Sequence, residues 1–96
     1  MVRRYDILKG DGTTSDGTVL GGDSNDRIAD REQAYERDDV WCPACKTTGH
    51  IACDGPRFSM KGPDGREGAL SDDWCVCKCD PPPRLLPSQY SSYVDL

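Results

Sequence analysis

Arg31-Glu32-Gln33-Ala34-Tyr35-Glu36-Arg37-Asp38-Asp39-Val40-Trp41-Cys42 recurs 35 residues later, without a gap, as Arg66-Glu67-Gly68-Ala69-Leu70-Ser71-Asp72-Asp73-Trp74-Cys75-Val76-Cys77. Five of the twelve positions are identical, an agreement that marks a duplicated unit. A looser echo accompanies it, Thr13-Thr14-Ser15-Asp16-Gly17-Thr18-Val19 beside Thr47-Thr48-Gly49-His50-Ile51. Each copy then reads as a Thr-Thr-Gly-type turn, a short strand, a turn, and an Arg-x-x-Ala segment that ends in Asp-x-x-x-Cys. The duplication also decides between helix and strand. Residues 30–39 alone hold good helix formers, although only Ala34 and Tyr35 are apolar. The second copy carries Gly62, Pro63, Gly65 and Gly68, which no helix tolerates together, so both copies are read as β.

The rest of the chain fits that reading. The short apolar pieces Tyr5 to Leu8, Thr18 to Leu20, His50 to Cys53, Arg57 to Met60 and Trp74 to Cys77 are bounded by Gly, Asp and Pro. They predict short strands joined by tight turns at Gly10-Asp11-Gly12, Gly21-Gly22-Asp23 and Gly62-Pro63-Asp64-Gly65. With 96 residues, 35% apolar, one Phe and two Trp, the chain is one domain with a small core. A net charge of -5 argues against a nucleic-acid surface, which needs clustered Lys and Arg to neutralise phosphates. No stretch of even twelve apolar residues is present, so no membrane anchor is expected.

Six cysteines lie in two tight clusters, Cys42-Pro43-Ala44-Cys45 and Cys75-Val76-Cys77-Lys78-Cys79, with Cys53 between them. A Cys-x-x-Cys turn aims two thiolates at one tetrahedral ion, and a second pair some thirty residues away completes a structural four-sulfur zinc set. Iron is the less favoured occupant, because a rubredoxin-like site would normally use two Cys-x-x-Cys turns and the second here is Cys-x-Cys. A disulfide framework is the alternative for a small chain with an even cysteine count. The N-terminus Met1-Val2-Arg3-Arg4-Tyr5-Asp6 lacks the apolar run of a signal peptide, which argues against an oxidising compartment. Metal would supply folding free energy that the small core lacks.

The pattern resembles the PAAR-repeat family, small proteins that sharpen the tip of the type VI secretion spike and related contractile injection machines. Gly10 to Val19 resembles the family's opening. Arg31, Ala34 and Asp38 match its signature, as do Arg66, Ala69 and Asp73, and Cys42-Pro43-Ala44-Cys45 follows at the family's spacing. The resemblance covers about residues 6–86. Neither copy has the Pro-Ala-Ala-Arg tetrapeptide, and Ser15-Asp16 stands where many members carry a metal-binding His. The site implied here is therefore made from cysteines alone, Cys42, Cys45, Cys77 and Cys79. Cys75, Cys53 and His50 are the candidates to replace one of them.

The resemblance implies an all-β fold, a small cone of short strands with pseudo-threefold shape, built here from two tandem repeats and stapled by one structural zinc near its apex. It places a single domain at residues 1–87, with repeat one at about 10–45, repeat two at about 46–79 and a closing segment at 80–87. Three prolines after Asp80 enforce an extended path, and Leu85-Leu86 is expected as the last strand before a short polar tail, 88–96. The implied function is non-enzymatic: capping the trimeric VgrG spike, helping to puncture a target membrane and delivering effectors. The implied partners are that spike and a separate effector docked on the tail; the implied location is the bacterial cytoplasm, followed by export on the spike. Carboxylates are plentiful, but none pairs with a supporting Ser, His or Cys in a catalytic pattern. The alternative function is a cytosolic zinc-binding, protein-interaction or chaperone-like module.

Overall fold

The computed structural model describes residues 3–28, 30–55, 65–79 and 81–95, with the side chains of 24–26 outside that set. The expected strand at Arg57 to Met60, and residues 62–64 of the turn before Gly65, lie outside the described residues. All regular elements described are strands: β1 Arg3–Tyr5, β2 Gly12–Thr13, β3 Thr18–Val19, β4 Asp23–Ile28, β5 Arg31–Gln33, β6 Asp39–Cys42, β7 Thr47–Ala52, β8 Trp74–Val76, β9 Leu85–Leu86 and β10 Tyr93–Asp95. No helix among the described residues is long and apolar enough to cross a membrane. Residues 30–39 form β5, a turn and the start of β6, as the duplication requires and against their helix propensity.

Six strands form one antiparallel sheet in the order β8-β7-β6-β3-β2-β9. Its two ends meet: Trp74 bridges Arg84, and Cys75 N–H donates to the Pro83 carbonyl at 2.8 Å. The sheet thus nearly closes into a small barrel, which leaves little open strand edge.

The repeat count is the main correction to the sequence reading. The frame holds three copies, because Arg4-Tyr5-Asp6-Ile7-Leu8-Lys9-Gly10-Asp11 adopts the same structure as Arg31 to Asp38 and Arg66 to Asp73. In each copy the Asp N–H donates to the carbonyl three residues back, and an Asp carboxylate oxygen accepts that residue's own N–H. The pairs are Leu8 with Asp11, Tyr35 with Asp38, and Leu70 with Asp73, all at 2.8–3.1 Å. The residue before each Asp takes a positive φ: Gly10 93°, Arg37 73° and Asp72 70°. Glycine adopts that conformation freely, so the first copy has the least strained turn.

The copies are joined in a cycle. Ile7 N–H donates to the Ala69 carbonyl, Ala34 N–H to Ile7 and Ala69 N–H to Ala34, at 2.9–3.1 Å. The strand pairs repeat in the same way, with Val19 opposite Val40, Ile51 opposite Cys75, and Leu85 opposite Thr13. The core is consequently three rings of three residues: Ile7, Ala34 and Ala69; Thr13, Val40 and Cys75; and Val19, Ile51 and Leu85. All nine are buried. Extents of 31 × 31 × 24 Å, two equal and one shorter, suit a body with threefold pseudo-symmetry.

Arg–Asp pairs lock the same cycle: Arg4 to Asp73 at 2.7 Å, Arg31 to Asp11 at 2.8 Å and Arg66 to Asp38 at 2.8 Å. Every one runs between copies. Burial differs sharply among them, with side-chain exposures of 4% and 0% for the first pair, 21% and 12% for Arg66 and Asp38, and 38% and 0% for Arg31 and Asp11.

Leu85–Leu86 is a strand, but the last one is β10, inside the segment expected to be a polar tail. It pairs with β1 in the register Arg3 to Asp95, Arg4 to Val94 and Tyr5 to Tyr93. In the second copy β4 lies on β5 with Ile28 opposite Arg31 and Arg27 opposite Glu32. Arg4 and Arg31 are equivalent, so β10 does for the first copy what β4 does for the second. Tyr5 meets the rings of Tyr90 and Tyr93 edge to face, Arg3 lies over Tyr93, and Gln89 donates to the carbonyls of Asp6 and Ser92. Ser92 Oγ donates to Asp6, and Ser88 Oγ to Asp11.

Candidate metal centre

The cysteine cluster stands at the far end of the hairpins from the Arg–Asp ring. In each copy the Asp opens a strand that runs away from the ring, β6 and β8 in the second and third. Cys42 closes β6, and Cys77 follows the last residue of β8. They are equivalent positions, four residues beyond Asp38 and Asp73, and the first copy has Ser15 there. Two of three equivalent positions therefore deliver a thiol to one end of the barrel, and the turns that follow bring the second thiol of each pair.

Cys42-Pro43-Ala44-Cys45-Lys46 is a tight turn between β6 and β7 in which Lys46 takes a positive φ of 52°. Thr47 Oγ1 donates to the Cys45 carbonyl at 3.1 Å and fixes the exit. Gly49 allows β7 to approach β8, since a Cβ there would stand 2.1 Å from the Val76 carbonyl oxygen. Gly17 has the same role in the first copy, where a Cβ would stand 2.5 Å from the Trp41 carbonyl oxygen.

The sulfurs of Cys42, Cys45, Cys77 and Cys79 lie within 4.8 Å of one another, and Cys42 and Cys79 are 3.6 Å apart. A tetrahedral zinc with Zn–S bonds of about 2.3 Å separates its sulfurs by about 3.8 Å, so the spacing fits such an ion after a small contraction. None of the six cysteines is disulfide-bonded, so no disulfide ties the described fold. Cys42 is buried and the other three are half-buried, which leaves an approach for an ion.

The thiols differ in acidity. Burial pushes Cys45 up, but the Lys78 backbone hydrogen bond and the Cys42, Cys77 and Cys79 sulfurs outweigh it and hold the thiol down at about 6. Cys79 is raised, chiefly because it holds its proton in the hydrogen bond to Cys42, and burial raises Cys77. One thiolate thus forms readily, while Cys77 and Cys79 hold their protons beside it. A cation reverses the preference and releases protons on binding.

The four cysteines expected at the site are the four brought together. Cys75 is elsewhere: it fills the core station of Thr13 and Val40, and burial pushes its thiol up to about 12. His50 is exposed on β7 and Cys53 is half-buried beyond its end, and neither joins the group found among the described residues. The sequence reading missed the Arg–Asp ring; its signal was the repeated spacing of Arg4 to Asp11, Arg31 to Asp38 and Arg66 to Asp73.

No family profile, curated protein or solved structure matches this chain.

Proposed function

We propose that this chain is a non-enzymatic tip protein that caps a trimeric spike of the VgrG type in a type VI secretion or related contractile injection system. The observation that carries the reading is the cyclic frame, in which Ile7, Ala34 and Ala69 hydrogen bond in a ring and three like hairpins surround them. A single chain with three near-equivalent sides can offer each subunit of a trimer a similar surface, which a chain without such symmetry cannot do. The resemblance of the two legible repeats to PAAR repeats points the same way.

In this reading Cys42, Cys45, Cys77 and Cys79 hold one zinc as a staple. The narrow end has no room for an apolar core, so thiolate bonds tie the second copy to the third where packing cannot. Four thiolates fill the tetrahedron and leave no open position for substrate or activated water. The protein would be made in the bacterial cytoplasm and leave it on the spike, helping to puncture a membrane and carry an effector.

The test is reconstitution with a trimeric spike followed by mass measurement of the complex. One chain per trimer is the expected result. Metal binding without any association with spike trimers would contradict the tip reading and favour a zinc-binding interaction module.

A further inference from the structure

The cluster that fits a metal also fits a second chemistry. The Cys42 and Cys79 sulfurs lie 3.6 Å apart, and a disulfide asks them to close to about 2.05 Å. Cys42 is held in β6, whereas Cys79 lies beyond the end of β8 in a segment outside any strand, so the movement falls on Cys79. Their accessibility is ordered as well, with Cys42 buried and Cys79 half-buried. We propose that the cluster is an oxidation site, in which Cys42 and Cys79 form a disulfide when the metal is lost in the presence of a small-molecule disulfide such as oxidised glutathione.

The exchange proceeds in three displacements. The Cys45 thiolate attacks one sulfur of oxidised glutathione, forming a mixed disulfide and expelling a glutathione thiolate. The Cys42 thiolate then attacks Cys45 Sγ and expels the second glutathione thiolate, and the Cys79 thiolate attacks Cys42 Sγ, 3.6 Å away, forming the protein disulfide and releasing the Cys45 thiolate. The two protein thiols give up two electrons and two protons, and oxidised glutathione becomes two glutathione thiols. The new bond joins the second copy to the third at the place where the metal joins them. The narrow end stays tied by metal in reducing surroundings and by sulfur in oxidising ones. Cys75, in the core, and Cys53, outside the group, remain thiols. This inference rests on the cluster alone and is independent of the spike reading.

The experiment uses the wild-type chain, so no variant has to fold. Protein stripped of metal by a chelator under reductant is transferred to oxidised glutathione, quenched by alkylation, digested and mapped without reduction. Cleavage after Lys78 separates Cys79 from Cys77, and fragmentation distinguishes Cys42 from Cys45. The expected product joins Cys42 to Cys79 within one chain, with Cys53 and Cys75 alkylated. Zinc-loaded protein should react at least about tenfold more slowly, since its thiolates are occupied. A dominant Cys42–Cys45 bond, a bond through Cys53 or Cys75, cross-linked dimers, or equal rates with and without zinc would each overturn the proposal.

Discussion

Replacing Arg4, Arg66 and Arg31 one at a time by Met tests the cyclic frame from within, because the three substitutions delete the same interaction at three depths. At the deepest position Asp73 is fully buried, and its Oδ1 accepts from Arg4 at 2.7 Å and from Asp54 N–H at 3.0 Å. Arg4 also donates twice to the Ser71 carbonyl, at 2.9 and 3.0 Å. Arg4→Met removes a charged donor from a carboxylate in the interior and should cost about 3–5 kcal/mol. That is a large share of the roughly 5–15 kcal/mol that holds a domain of this size. Arg66→Met removes a partly exposed pair and should cost about 1–2 kcal/mol. Arg31→Met should fall between the two, at about 2–3 kcal/mol, because it strands a carboxylate as buried as Asp73 but loses an attraction that water already screens at the guanidinium. Urea denaturation followed by fluorescence of Trp41 and Trp74, with metal content held constant, measures all three. Equal losses, or a larger loss for Arg31 than for Arg4, would refute the argument that burial sets the strength of these pairs.

Other consequences can be checked separately. Gly49→Ala puts a methyl 2.1 Å from the Val76 carbonyl oxygen and should cost about 1–3 kcal/mol in the same denaturation assay. Gly12→Ala, whose nearest neighbour would be 3.6 Å away, should change stability by less than about 0.5 kcal/mol. Truncation after residue 87 removes β10 and the partners of Tyr5 and Asp6, and should lower stability by about 2–4 kcal/mol, where a disordered tail would have no effect. In metal-free reduced protein, alkylation at rising pH should reach Cys45 first, with a midpoint at about 6, and Cys75 last, because burial pushes it to about 12. The sign follows: Cys45 lies below its ordinary value of 9.0, so its contribution to stability is present above that value and is lost as pH falls through about 6.

The β character and the thiol cluster were legible because both depend on side chains that the copies share. Gly62, Pro63, Gly65 and Gly68 ruled out a helix, and the alignment of Cys75 with Val40 left it either a core residue or a substitute ligand; it fills the core. The third copy was hidden for the opposite reason. It has Ile7 where the others have Ala and Ser15 where they have Cys, so only Arg4 and Asp11 persist. What relates the copies is a ring of backbone hydrogen bonds, and main-chain groups leave no trace in residue identity. β10 escaped because Ser88, Gln89 and Ser92 meet polar partners on the first copy, Asp6 and Asp11 among them, so the segment lacks the apolar alternation of a half-buried strand.

The most direct test of the metal-stapled fold is native mass spectrometry of protein purified under reductant, paired with a thiol count after unfolding. The account predicts one divalent ion per chain, six titratable thiols, and loss of the ion in Cys42→Ser but not in Cys53→Ser. A metal-free chain whose stability is unchanged by added zinc would contradict it.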